Sequence, residues 1–228
     1  MSEPTTKSAE GRTRVAVLIS GRGSNMATLA DACAAQEYPA RIALVLSNEP
    51  DAGGLAIAAE RGIATAVVDH RPHGENRAQF EAAIDVQLAA QGIEVVCLAG
   101  FMRILTPWFV NRWKGRILNI HPSLLPSFKG LDTHQRALDA GVCWHGATVH
   151  VVTPALDDGP IIAQAAVPTL PEDDAESLRK RVLQAEHQLY PRALRLFCAP
   201  GARVEGDRFV QADLTFQTPN TQISPLTE

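Results

Sequence analysis

The sequence lacks the features of a membrane, secreted or general nucleic-acid-binding protein. None of its apolar runs approaches the ~20 residues needed to cross a bilayer, and its polar start contains no apolar segment of a signal peptide. Lys and Arg number 21 against 25 Asp and Glu, a net charge of −4, so no excess of positive charge can neutralise the phosphates of a nucleic acid. We therefore expect no membrane or nucleic-acid partner, although a small anion can still bind locally.

Cysteine is also scarce, and its spacing does not suggest a metal site. The four cysteines are spread along the chain at Cys33, Cys97, Cys143 and Cys198. No two of them form a CxxC pair, and Cys97 lies inside the apolar run VVCLAG. This usage predicts reduced, mostly buried thiols in a cytoplasmic protein.

The order of the apolar runs predicts an α/β fold. Short continuous apolar strands, such as Arg14–Ile19 and Glu94–Ala99, alternate with helical patterns, as expected for parallel strands covered by helices on both faces. Two later β-rich runs, at about Ala147–Val152 and Ile161–Val167, are joined by a short link that favours an antiparallel pair. We predict an open twisted sheet, mostly parallel with added antiparallel strands.

The length of the chain and the composition of its ends favour one domain over residues 1–228, without internal repeats or a long linker. Residues 1–13 are expected to form a disordered lead-in and residues 215–228 a loose tail. A long amphipathic helix is predicted from about Ala175. Pro191 is expected to kink it or to start a second segment that reaches Phe197.

A glycine loop, Gly21-x-Gly23, follows the first predicted strand. The third glycine of a G-x-G-x-x-G fingerprint would fall at Met26, and the lysine of a P-loop is missing, so neither nucleotide motif is complete. The elements of an anion site are nevertheless present: glycines, a helix N-terminus and the hydroxyl of Ser24, with Asn25 as a further donor. The alternative is a plain tight turn in which Ser24 caps the helix.

A second polar cluster is predicted at the carboxyl ends of the strands, where open α/β sheets bind ligands. Asn119 and His121 are separated by one residue at the end of a strand, so their side chains are expected on the same face. Asp157 and Asp158 lie in the loop between the two later strands. A carboxylate can orient an imidazole and stabilise its charged form, and an Asn amide with an imidazolium can stabilise an oxyanion.

Structural explanations compete with this functional interpretation. A single His after a strand is usually a hydrogen-bonded loop residue, and Asp-Asp-Gly-Pro is an ordinary turn signal. The same structural default applies to His134, His145, His150 and His187. His145 and His150 are five positions apart, which puts them on opposite faces of a strand, so no metal is expected. The chain has no G-x-S-x-G, so a serine hydrolase is not indicated.

Six segments in order resemble the folate-dependent formyltransferases. They are SGRGSN, LAGFMRIL, NIHPSLLPSFKG, HGATVH, LDDGPII and AEHQLYP, between about Arg14 and Phe197. NIHPSLLP is typical of the whole group, and SGRGSN resembles the members that act on glycinamide ribonucleotide. The resemblance implies a Rossmann-like formyltransferase fold. It also implies formyl transfer to that ribonucleotide in purine biosynthesis, with 10-formyltetrahydrofolate as co-substrate.

The resemblance also implies roles for individual residues. The catalytic residues would be Asn119, His121 and Asp157. The substrate would be bound through its phosphate by Gly23, Ser24 and Asn25, with help from Arg77, and through its amine by Glu186. The folate pocket would include Met102, Arg103, Ile104, Leu105 and Asn119, together with the loop that carries Asp157. The peptide bond Leu125–Pro126 would be cis.

One departure from the family pattern leaves two aspartates to choose between. Many relatives carry LDGGP where this chain has Leu156-Asp157-Asp158-Gly159-Pro160. Counting back from Gly159-Pro160 assigns the catalytic role to Asp157, and Asp158 remains the alternative.

Three other functions compete with ribonucleotide formylation. A formyltetrahydrofolate hydrolase would resemble NIHHSFLP at the main motif. A methionyl-tRNA formyltransferase would carry a further tRNA-binding domain, whereas only about thirty non-basic residues follow Phe197. A non-catalytic nucleotide-binding module would not need Asn119, His121 and Asp157. We expect small-molecule partners only, and a monomer or weak homodimer.

Overall fold

The fold is built on a seven-stranded sheet in a computed structural model that describes residues 11–74 and 76–211. The strands are β1 Thr13–Ile19, β2 Ala40–Ser47, β3 Thr65–Val67, β4 Val95–Leu98, β5 Ile117–His121, β6 Trp144–Val151 and β7 Ile161–Pro168. Their spatial order is β3-β2-β1-β4-β5-β6-β7. The first five strands are parallel, and β6 runs antiparallel to both β5 and β7. The predicted mostly parallel sheet with an added antiparallel pair is confirmed.

Helices cover both faces of this sheet. They are α1 Ser24–Cys33, α2 Gly53–Glu60, α3 Arg77–Ala90, α4 Pro107–Arg112, α5 Thr133–Asp139 and α6 Ala175–Cys198. Alternate side chains of β1 enter different cores: Val15 and Val17 pack with α1 and α6, whereas Ala16 and Leu18 pack with α3 and α4. Burial on both faces explains why this strand is a continuous apolar run in the sequence.

A short helix and a two-stranded hairpin were not predicted from the sequence. The short helix α4 begins at Pro107, and the buried carboxylate of Glu81 accepts hydrogen bonds from the backbone and the hydroxyl of Thr106 just before it. A hairpin of β8 Arg203–Glu205 and β9 Arg208–Val210 follows α6, and Phe209 stacks on Phe197 of that helix.

The ends of the chain differ in part from expectation. The first strand begins at Thr13, one residue earlier than predicted, and most of the predicted lead-in lies in residues 1–10, outside the described residues. The predicted tail 215–228 also lies outside them. The predicted separate segment after Pro191 is wrong, because this proline lies inside the single helix α6. No helix of residues 11–74 and 76–211 is long and apolar enough to cross a membrane.

The reversal of strand order places the first loop beside the fourth. Because β1 lies between β2 and β4, the connections that follow β1 and β4 leave in opposite directions and open a crevice at their carboxyl ends. Two hydrogen bonds join the loops, from Ser20 N–H to the Gly100 carbonyl (3.1 Å) and from Met102 N–H to the Ser20 hydroxyl (2.8 Å). The topological switch point of the sheet therefore lies between β1 and β4.

Helix α6 is attached to the same end of the sheet. The hydroxyl of the buried Tyr190 lies 3.0 Å from the carbonyl oxygen of Leu98 and 3.2 Å from that of Leu118, in β4 and β5. This attachment brings Glu186, one helical turn earlier, to the side of the sheet where the glycine loop lies.

The glycine loop packs closely against the start of α2. Gly54 N–H donates to the Gly21 carbonyl at 3.0 Å, and a Cβ on Gly23 would lie 2.6 Å from the Cα of Gly54. A Cβ on Gly54 would lie 2.5 Å from the Cδ1 atom of Ile19. By contrast, a Cβ on the neighbouring, exposed Gly53 would meet no atom within 4 Å. Only the second glycine of this pair is therefore required by packing.

We expect Gly54→Ala to lower the free energy of unfolding by about 1–3 kcal/mol, because the new methyl group overpacks a closed contact. The matched variant Gly53→Ala should change it by less than about 1 kcal/mol, because its methyl group enters open space. Urea unfolding of both variants measures the difference. Equal midpoints for the two variants would contradict the close approach of loop and helix.

Candidate active site

The N-terminus of α1 forms one side of the candidate site. Gly23 precedes the helix with φ = 76°, a left-handed conformation that glycine adopts without strain, and no side chain caps the helix. The alternative in which Ser24 is the cap is therefore wrong, since Ser24 is the first helical residue. An uncapped N-terminus directs backbone N–H groups and the positive end of the helix dipole outward, which suits an anion.

Asn25 connects this terminus to α6. Its side-chain nitrogen donates a hydrogen bond of 2.7 Å to the Oε2 atom of Glu186, and both residues are buried. Burial raises the pKa of Glu186, and the hydrogen bond from Asn25 and the positive charge of Arg179 only partly oppose this. A buried carboxylate with a raised pKa accepts hydrogen bonds strongly, so Glu186 is suited to binding an amine.

The second polar cluster lies where β5, β6 and the loop after β6 meet. The Nδ1 atom of His121 lies 3.4 Å from the Oδ2 atom of Asp157. Asn119 is paired with His150 across the antiparallel strands, and its side-chain nitrogen lies 3.3 Å from the Nε2 atom of that ring. The structure therefore brings Asn119, His121 and Asp157 together, as the sequence predicted, and adds His150 to them.

The imidazole of His121 lies between two acceptors. Its Nε2 atom is 3.0 Å from the carbonyl oxygen of Phe128, and its Nδ1 atom faces the carboxylate of Asp157. Only the doubly protonated ring can donate a hydrogen bond to both oxygens. That form of the ring is the one that can stabilise a developing negative charge.

The segment after β5 is held firmly over His121. Thr148 of β6 accepts a hydrogen bond from Leu125 N–H (3.0 Å) and donates one to the Ser123 carbonyl (2.7 Å). The Leu125–Pro126 peptide bond is cis, as the family resemblance implied. At the far end of the segment, Gly130 N–H donates to the Oδ2 atom of Asp157 at 2.9 Å.

The two neighbouring aspartates have different environments. The side chain of Asp157 is 9% exposed and faces His121, whereas that of Asp158 is 57% exposed and pairs with Lys129 at the surface. Asp157 adopts φ = 48°, and this left-handed backbone turns consecutive side chains in different directions. The geometry thus favours Asp157 over Asp158 as the partner of the imidazole.

Four of the residues predicted for the folate pocket follow β4. Met102 and Ile104 are largely exposed, and Arg103 and Leu105 are partly buried. Exposed apolar side chains beside a crevice are suited to cover a planar ring. Arg77 begins α3 and is exposed, and its side chain makes no hydrogen bond or ion pair with another described residue.

His150 is the residue that sequence reasoning did not assign to the site. The structural default gave it no role, because the pairing of β5 with β6 is not visible in a single sequence. The available signal was a polar side chain within the mostly apolar run that forms β6, the strand next to Asn119. Within residues 11–74 and 76–211, no group of three or more His, Cys, Asp or Glu side chains is arranged to hold a metal ion.

Together these groups can support attack of an amine on a carbonyl carbon. The glycine loop offers an anion site, Glu186 can bind an amine, and Asn119 and His121 can donate to a developing oxyanion. Asp157 can orient the imidazole and accept a proton through water. No nucleophilic side chain is needed for such a direct transfer.

Comparison with known proteins agrees with this chemistry. The model of the formyl transferase family matches residues 13–194. The phosphoribosylglycinamide formyltransferase of Haemophilus influenzae is 46% identical over 184 residues, which cover 81% of this chain and 86% of that protein. The crystal structure of glycinamide ribonucleotide transformylase 1 from Symbiobacterium toebii superposes with a TM-score of 0.85 at 43% identity, covering 92% of this chain and 99% of that one.

Longer proteins contain a similar region. The trifunctional purine biosynthetic protein adenosine-3 of Bos taurus is 48% identical over 193 residues, or 85% of this chain. The matched region is only 19% of that protein. The chain therefore spans about a fifth of the length of this trifunctional relative.

The buried Glu186 generates a prediction about stability and pH. A carboxyl group whose pKa is raised by folding stabilises the fold below its unfolded pKa and loses that contribution as pH rises through the folded pKa. At pH 7, Glu186→Gln should therefore unfold at a higher urea concentration than the wild type. The difference should shrink as pH falls through the raised folded pKa and should be gone below about 4.3, where the acid is protonated in both states.

The variant keeps an oxygen that can accept from Asn25, so the comparison isolates the charge. Urea unfolding of both proteins at a series of pH values measures the effect. A variant less stable than the wild type at pH 7 would show that the hydrogen bond to the charged group outweighs burial.

Proposed function

The chain belongs to the formyl transferase family, and we propose that it transfers a formyl group from 10-formyltetrahydrofolate to the amine of glycinamide ribonucleotide in purine biosynthesis. One observation carries the proposal beyond family membership. The cluster of Asn119, His121 and Asp157 lies at the same end of the sheet as the pair of Asn25 and Glu186 at the glycine loop. An oxyanion site, an amine site and an anion site are what this bisubstrate reaction requires.

The ribonucleotide is proposed to bind along α1. Its phosphate takes the N–H groups of Gly23, Ser24 and Asn25, where the uncapped helix favours negative charge. Arg77, an exposed cation without a described partner, is proposed to add a charge contact with the bound substrate. The amine then lies at Glu186, whose carboxylate accepts a hydrogen bond from it while the nitrogen keeps its lone pair.

The folate is proposed to bind after β4. Met102, Ile104 and Leu105 supply apolar surface for its ring, and Arg103 supplies a positive charge for its carboxylates. Asn119, next to this loop at the end of β5, reaches the formyl group. The loop that carries Asp157 closes the other side.

The proposed reaction is a direct transfer. The neutral amine attacks the formyl carbon, and a carbon–nitrogen bond forms to give a tetrahedral oxyanion. Asn119 and the imidazolium of His121 donate hydrogen bonds to this oxygen. Asp157 stabilises the imidazolium and, through a water molecule, moves the proton from the attacking nitrogen to the folate nitrogen. The bond from that nitrogen to the formyl carbon then breaks.

Two further expectations from the sequence stay predictions: a cytoplasmic location and a monomeric or weakly dimeric state. The expectation that substrate is bound without a metal ion also stays a prediction.

Deformylation should require the acceptor. We expect the absorbance change of 10-formyldideazafolate or 10-formyltetrahydrofolate on mixing with the protein only when glycinamide ribonucleotide is present, because the amine of the ribonucleotide is the proposed nucleophile. Deformylation without the ribonucleotide would instead identify a formyltetrahydrofolate hydrolase. Folate binding without deformylation under either condition would favour another acceptor or a binding role.

The neighbouring aspartates provide a matched pair of variants. Asp157→Asn should lower kcat by about 10²- to 10⁴-fold, because an amide cannot stabilise the imidazolium or accept the proton. Asp158→Asn should change kcat by less than about 3-fold, because its ion pair with Lys129 is exposed to solvent. Steady-state rates with both substrates saturating measure the two effects. The reverse order of effects would assign the catalytic role to Asp158.

A further inference from the structure

A buried histidine lies beside the proposed catalytic cluster without a part in the reaction as derived above. His150 is 2% exposed in β6, directly across the strand pair from Asn119 of β5. Its ring has polar neighbours on both sides, whereas the rest of β6 is mostly apolar. A buried polar ring of this kind needs a structural or functional explanation.

The first neighbour determines which nitrogen of the ring carries the proton. The Nδ1 atom lies 3.1 Å from the carbonyl oxygen of Val151, which can only accept a hydrogen bond. Nδ1 must therefore be protonated for this contact to be favourable. Burial lowers the pKa of His150, so the ring is neutral at neutral pH and its Nε2 atom carries a lone pair.

The proton on Nδ1 then determines which atom of the Asn119 amide can face Nε2. The atom of Asn119 that lies 3.3 Å from this lone pair is the amide nitrogen, a donor. If the amide were rotated by 180°, its oxygen would face the Nε2 lone pair, with the Asp157 carboxylate oxygen only 3.8 Å from the same nitrogen. Three acceptors without a hydrogen would then meet in a buried space, which is unfavourable.

We propose that His150 is a positioning residue that holds the amide of Asn119 in the orientation needed for oxyanion stabilisation. One N–H of the amide donates to His150, and the second N–H is left to donate to the substrate oxygen. Without His150, the amide can rotate and present its oxygen, which repels an oxyanion. This inference rests on the proposed function, because it assigns Asn119 a donor in formyl transfer.

The first test removes the acceptor and keeps a ring. His150→Phe should lower kcat by about 10- to 100-fold, the size expected when a catalytic group is misplaced. KM for the ribonucleotide should stay within about 3-fold, since its proposed contacts lie at α1 and α6. His150→Gln, which can offer an oxygen to the amide, should recover part of the loss.

A control separates positioning from loss of stability. Val149→Ala removes a fully buried side chain from the neighbouring position of β6, and alternation along the strand directs that side chain to the opposite face. It should destabilise the protein but keep kcat within about 3-fold of the wild type. A comparable fall in kcat for Val149→Ala and His150→Phe would overturn the proposal.

A double-variant cycle distinguishes failure of the inference from failure of the proposed function. Adding His150→Phe to Asn119→Ala should lower kcat by less than about 2-fold further, because the group to be positioned is already absent. If the two effects multiply, His150 acts independently of Asn119 and the inference is wrong. If Asn119→Ala alone keeps near-wild-type kcat, the role of Asn119 in the proposed function is wrong.

The tautomer can be measured without turnover. Nitrogen-15 NMR of the histidine rings distinguishes protonated from unprotonated ring nitrogens, and His150→Phe identifies the signal by its absence. At pH 7 we expect His150 to carry its proton on Nδ1, with Nε2 unprotonated. A proton on Nε2 would overturn the proposal, because Asn119 would then have to present its oxygen.

Discussion

The buried carboxylate of Asp157 holds together segments that are far apart in the chain. One oxygen accepts from Gly130 N–H and faces His121, and the other lies 3.8 Å from His150. A buried charge is tolerated only when polar partners surround it, so each of these groups is constrained by the need to satisfy it. The imidazole at the end of β5, the loop that follows it and the histidine of β6 therefore depend on a single side chain for their relative positions.

Those parts of the fold that depend on local pattern could be predicted from the sequence. The continuous apolar run of β1 and the amphipathic pattern of α6 placed the starts of these elements within a residue. Helix α4 was missed because it has only six residues and because Glu81, whose buried carboxylate binds Thr106 at its start, lies 25 residues earlier in the chain. The hairpin after α6 was missed as well, since its strands have three residues each and are recognisable mainly through the packing of Phe209.

The candidate site could also be predicted only in part: residues that share a strand or a turn were found, whereas contacts between distant segments were not. The pair Asn119 and His121 could be found because both lie on one strand, and the aspartate loop because of its turn residues. The contact of Asn25 with Glu186 joins positions 161 residues apart, and the pairing of Asn119 with His150 depends on strand register, so both needed the fold. Burial disfavours the charged form of both buried groups. It therefore lowers the pKa of His150, which stays neutral, and raises the pKa of Glu186.

The contact between His121 and the Phe128 carbonyl has a consequence for ligand selectivity. In the proposed reaction, an arriving formyl oxygen must replace a carbonyl that already accepts from Nε2, and this exchange of one neutral acceptor for another yields little net binding energy. An alkoxide is a much stronger acceptor and wins the same exchange. The internal competitor thus cancels most of what this contact could add to ground-state binding and leaves a net gain only for the stronger acceptor, so analogues bearing a tetrahedral hydroxylated carbon should profit most from this contact.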